Sequence, residues 1–173
     1  MKVVVLAFLI AFFYKNTKHY FYLWVLCVII AVLHISYFQG LFAGFADETG
    51  VKYLTGTGNA NYMTGFRLDF ILYSAAPVYI GYKMYIKNHI RNKTYEIWLR
   101  IYLLMNSVWM LCMYASYTNR IAYLSWFMYP FVLLYPYYAM YTSDNQLIKG
   151  RKVLMYHMCF TLFMVFIYYT LLK

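Results

Sequence analysis

The chain has 173 residues, of which 65% are hydrophobic, 24% aromatic and 12% charged, and its formal net charge is +10. A soluble domain carries about 25% charged residues, so the composition speaks against a soluble fold that buries its apolar positions in one small core. The lysines and arginines stand in short stretches between long apolar runs. Membrane topology then accounts for the positive charge, and no nucleic-acid partner is required.

The apolar runs predict about six spans. The first, Lys2 to Phe13, is short for a membrane helix, and no small-residue cleavage site follows it that would mark a secretory signal. It reads as a span whose earlier part is missing, which makes the chain the back part of a longer one. The others run from about Tyr20 to Phe42, Leu68 to Tyr85, Ile97 to Tyr117, Ile121 to Tyr141 and Val153 to Leu172. Each approaches the roughly 20 apolar residues that a helix needs to cross a bilayer core. Backbone groups in lipid must bond to one another, so helices are the default. The expected fold class is all-α: a polytopic integral membrane protein, with residues 1–173 forming a single membrane domain.

Orientation follows from the basic connections. Residues 14–19 carry Lys15 and Lys18. Residues 83–100 carry Lys83, Lys87, Arg91, Lys93 and Arg100 against Glu96. Residues 142–152 carry Lys149, Arg151 and Lys152 against Asp144. These three connections fall on one side, expected to be cytoplasmic, with Arg100 a boundary cation whose replacement does little. The loop 43–67 and the turn Thr118 to Arg120 then face outward, in a multi-pass chain.

Cys27, Cys112 and Cys159 lie within spans and have no CxxC spacing, so they read as inert thiols. No two histidines have helical ligand spacing, so neither a metal site nor a cofactor is expected. His34, in the outer half of the second span beside Ser36 and Tyr37, is an ionisable group at depth. It is a substrate-binding candidate, weighed against a neutral histidine bonded to a carbonyl. The outer loop is rich in Gly, Thr and Asn, with Tyr53 and Tyr62 interleaved. Hydroxyls, amides and flat rings suit a sugar, although a solvated loop has a similar composition.

Arg67, in Gly65-Phe66-Arg67-Leu68-Asp69-Phe70, and Arg120, in Asn119-Arg120-Ile121-Ala122-Tyr123, resist the charge sorting by facing outward. A guanidinium holds phosphate oxygens in a planar fork and stays charged. The alternative is an Arg67–Asp69 pair, or two arginines reaching for lipid headgroups. These two blocks stand before spans carrying Pro77 and then Pro130 and Pro136, with a basic connection and an apolar span between them.

In that order and spacing, the segment from about Phe45 onward resembles the C-terminal half of the Wzy/EpsG-type polysaccharide polymerases. The resemblance implies a bacterial membrane protein of exopolysaccharide, capsule or O-antigen assembly that joins undecaprenyl-diphosphate-linked oligosaccharide repeats by glycosyl transfer. It implies that Arg67 and Arg120 lie near the diphosphate leaving group, where preset cations stabilise developing charge. Asp69 is then a candidate base or a group that orients Arg67, and Tyr123 a substrate contact. Members of that family are longer, so a missing N-terminal half or other polysaccharide-assembly proteins are implied partners. A non-catalytic membrane scaffold and a small-solute transporter are the alternative functions.

Overall fold

The computed structural model describes residues 2–35, 37–43, 66–89, 91–115, 118–139 and 144–171, and every secondary-structure element among them is helical. In chain order these are α1 (Lys2–Phe13), α2 (Thr17–Val32), α3 (Phe38–Ala43), α4 (Leu68–Tyr82), α5 (Lys93–Leu111), α6 (Thr118–Trp126), α7 (Tyr129–Tyr138) and α8 (Asp144–Leu171). A π-helical turn, Lys83–Lys87, extends α4.

Local chemistry sets the breaks. The expected second span is interrupted after Val32, because His34 adopts a left-handed backbone (φ 58°) that a helix cannot continue through. The expected fifth span is also two helices. Pro130 is the second residue of α7, and in an unbroken helix its ring would meet the carbonyl of Trp126. The basic connections are shorter than their charge pattern suggests. Lys18 already belongs to α2, and α5 begins at Lys93, capped by the Asn92 side chain accepting from the Tyr95 N–H at 3.0 Å.

The helix α5 is the centre of the bundle, with Tyr95, Leu99, Tyr102, Leu103 and Trp109 wholly buried. Its contacts fix the direction of every neighbour. Helix α1 runs against it, with Tyr14 beside Arg100 and Ala7 and Ala11 packed near Ile101 and Met105. Helix α2 runs with it, since Trp24 meets Asn106 and Ala31 meets Tyr114. Helix α4 runs against it, since Gly81 lies on Leu99, Ser74 accepts from Tyr102 and the Arg67 N–H meets Met113. Helices α6 and α7 also run against it, from Ser125 at Asn106 to Val132 at Tyr95. Helix α8 turns back along α7, from Gly150 at Tyr137 to His157 at Tyr129.

Up-and-down packing of this kind sorts the chain into two ends. Lys15 and Lys18, the stretch from Lys83 to Arg100, and Lys149 to Lys152 gather at one end. Arg67, Met113, Tyr114, Tyr123 and the last turns of α8 gather at the other.

Polar groups are held inside the bundle and large apolar groups cover its outside. The Trp24 indole donates to Asn106 Oδ1 (2.8 Å), and Asn106 Nδ2 donates to Ser125 Oγ (3.2 Å). The Tyr102 hydroxyl donates to the Ser74 carbonyl (2.7 Å). Outside, Phe12, Phe13, Leu162, Phe163 and Phe166 are all more than half exposed. Among the described residues one stretch, Leu147–Ile167 in α8, is long and apolar enough to cross a membrane, with a mean hydropathy of 1.3.

Candidate functional site

Arg67 immediately precedes α4, so its side chain is free of helical spacing. This lets it reach Asp69 in the first turn, which residues two apart within a helix do not do. The guanidinium meets the carboxylate edge to edge, with Nε donating to Oδ1 at 2.9 Å and Nη2 to Oδ2 at 2.5 Å. A carboxylate at a helix N-terminus is itself favoured by the helix dipole. The Arg67 Cζ lies 4.1 Å from the centre of the Phe70 ring, a cation–π contact that fixes the plane of the fork. Arg67 is 8% exposed.

This pair opens onto a half-open cavity of about 310 Å³ lined by α4, α6 and α8. Phe70 and Tyr73 come from α4, Tyr123 and Trp126 from α6, and Thr161, Met164, Val165 and Tyr169 from α8. Its walls are braced from behind. The Trp126 indole donates to Ser74 Oγ (3.4 Å) and its ring meets Phe70 edge-on at 5.1 Å. Tyr73 stacks on Tyr129 at 4.7 Å, and the Tyr129 hydroxyl donates to the Tyr73 carbonyl (3.0 Å) and lies 3.2 Å from His157 Nδ1.

Of the site residues expected from sequence, Arg67, Asp69 and Tyr123 line this one cavity. His34 lies at the same end but is not part of the lining. Its Nδ1 is 2.7 Å from the Tyr114 hydroxyl, which itself donates to the Ala31 carbonyl (2.7 Å), and its ring faces Phe66. Its ring is held by Tyr114 and Phe66, which come from other segments of the chain, and its side-chain partner is a hydroxyl. Arg120 belongs to the first turn of α6, and its side chain lies outside the described residues, as do Tyr53 and Tyr62. No group of three His, Cys, Asp or Glu able to hold a metal occurs among the described residues.

Phe70, Tyr73, Trp126, Thr161 and Tyr169 were not anticipated. Phe70 stands three residues after Arg67, and Tyr73 a further three. Trp126 stands three after Tyr123, so spacing from the named residues reaches these three but none of the wall that α8 supplies. Arg100, expected to be a dispensable boundary cation, is only 4% exposed. It donates from Nε to the Glu96 carbonyl (3.0 Å) and from Nη1 to the Tyr14 carbonyl (3.1 Å), tying α5 to the α1–α2 turn.

Two of the five N–H donors of Arg67 are engaged by Asp69, and three remain for a ligand. Both carboxylate oxygens of Asp69 are held by the Arg67 guanidinium. No family model, curated protein or solved structure matches this chain.

Proposed function

We propose that the chain is a multi-pass protein of the bacterial cytoplasmic membrane that acts in polysaccharide polymerisation, transferring glycan between undecaprenyl-diphosphate-linked oligosaccharides. Support for the membrane part comes from the apolar sheath, the hydrogen-bonded polar interior and the gathering of basic residues at one end. In this reading about six spans cross the bilayer and the basic end is cytoplasmic. The observation that carries the functional part is the meeting of Arg67, Asp69 and Tyr123 in one cavity at the opposite end.

In the proposed reaction an acceptor sugar hydroxyl forms a bond to the anomeric carbon of the donor glycan. The bond from that carbon to the lipid diphosphate breaks, the electron pair leaves with the diphosphate, and the hydroxyl proton passes to water at the membrane face. In this reading Arg120 supplies positive charge for the leaving diphosphate, while Arg67, its fork positioned by Asp69, faces the glycan.

The test is the length of polymer formed by membranes carrying the complete assembly. Arg67→Ala or Arg120→Ala shortens or abolishes polymer with the protein level unchanged. Unchanged polymer with either variant identifies a scaffold, and ion-dependent solute uptake into vesicles identifies a transporter.

A further inference from the structure

The cavity beside Arg67 separates the two chemically distinct parts of a lipid-linked glycan. We infer that it takes one neutral sugar ring, and that the diphosphate binds outside it. This rests on the polymerase reading and assigns a part of the substrate to the described walls.

Charge is the first ground. Arg67 and Asp69 cancel, and no other charged side chain lines the cavity among the described residues. A diphosphate would meet a guanidinium whose Nε–Nη2 edge is already taken, a carboxylate that repels it, and aromatic faces that carry partial negative charge. A neutral ring meets none of these penalties.

Shape and polarity agree with that assignment. The lined space of about 310 Å³ lies at the small end of ligand sites and is open on one side, which suits one ring on the walls with the rest of the glycan outside. Tyr123 and Trp126 bring aromatic surface for the C–H side of a pyranose. The Arg67–Asp69 pair offers the edge its hydroxyls need, because the guanidinium keeps donors that the carboxylate does not engage. Both groups are already held by each other, and Arg67 also by Phe70, so neither of the two has to be ordered on binding.

The experiment is saturation-transfer difference NMR on the full chain in phosphatidylcholine nanodiscs prepared without glycoside detergent. The probes are the methyl glycosides of glucose, galactose and N-acetylglucosamine, with inorganic diphosphate as competitor. At least one glycoside is expected to give a ring-proton signal that excess diphosphate leaves unchanged. Tyr123→Ala should weaken it by about fivefold, the loss of one ring contact. Asp69→Asn should weaken it too, and should make the signal sensitive to diphosphate by freeing the Arg67 fork. Tyr79→Ala, an exposed change on α4 towards the basic end, should not affect it. Tyr123 is itself exposed, so its loss spares the fold. Absence of signal from all three glycosides, or displacement by diphosphate in the unmodified protein, overturns the assignment. The two readings fail separately: polymer lost in Arg67→Ala without any glycoside signal removes the sugar site alone, and a glycoside signal with polymer intact in Arg67→Ala removes the polymerase alone.

Discussion

The two ends of the bundle each bury an arginine, and the two differ in what they touch. At the basic end Arg100 gives its N–H groups to the backbone carbonyls of Glu96 and Tyr14, filling the junction of α5 with the α1–α2 turn. At the opposite end Arg67 faces a carboxylate, an aromatic ring and open space. The path of α8 follows the same division. At Gly150 it lies so close to α7 that an added Cβ would come within 2.8 Å of Tyr137 Cβ. By Thr161 to Tyr169 it forms one wall of a cavity instead. Burial of a cation therefore does not by itself mark a candidate site. The direction of its donors, and free volume beside them, make the distinction.

The largest expected effect falls at the packed end. Arg100→Ala removes two charge-assisted hydrogen bonds from a buried position and should cost about 3 kcal/mol. For a domain of this size that lowers Tm by about 10 °C. An unchanged Tm would return Arg100 to the role of a surface cation and dissolve the contrast between the ends. Gly150→Ala tests the close approach of α8. Overpacking of this sort costs about 1–3 kcal/mol, so Tm should fall less than for Arg100→Ala. No shift would mean that α8 stands away from α7 at both ends.

At the open end the effects move from stability to activity. Arg67→Lys keeps charge beside Asp69 but loses the planar fork. Polymer formation should drop at least about tenfold, equivalent to 1.4 kcal/mol in the barrier, with Tm nearly constant. An equal drop in Arg100→Lys would point to folding or insertion as the common cause. The smallest stability effect belongs to Tyr123→Ala. This residue is 60% exposed, so Tm should move by no more than about 0.5 kcal/mol allows, while polymer length shortens. A large Tm loss there would make Tyr123 a packing residue.

The helical class was legible because apolar runs of span length leave little other way to satisfy the backbone. The break at Phe127 and Met128 was signalled by Pro130, but a proline near a helix start and a proline in its interior look alike in a bare sequence. The left-handed turn at His34 carried no such signal, since glycine is the usual residue there. Arg67 and Arg120 stood out by charge sorting, and Asp69 by its nearness to Arg67. The rest of the cavity did not stand out, because in a chain this aromatic a further Tyr or Trp inside a span is unremarked. Arg100 was misjudged because charge counting assigns a residue to a connection without revealing what its side chain meets. Its place on the inner face of α5, at helical spacing before Leu103 and Leu104, becomes apparent only once the neighbours of that helix are known.

The claim that the two ends face opposite sides of a membrane is the most direct to test. Cys27 and Cys112 are buried, so a Cys159→Ser background suffices for labelling in intact cells with a membrane-impermeant maleimide. Tyr123 and Lys149 are both exposed, the first at the cavity and the second among the basic residues. Tyr123→Cys should label from outside, and Lys149→Cys should label only after the cells are permeabilised. Labelling of both positions from outside, or of Lys149→Cys alone, would contradict the arrangement.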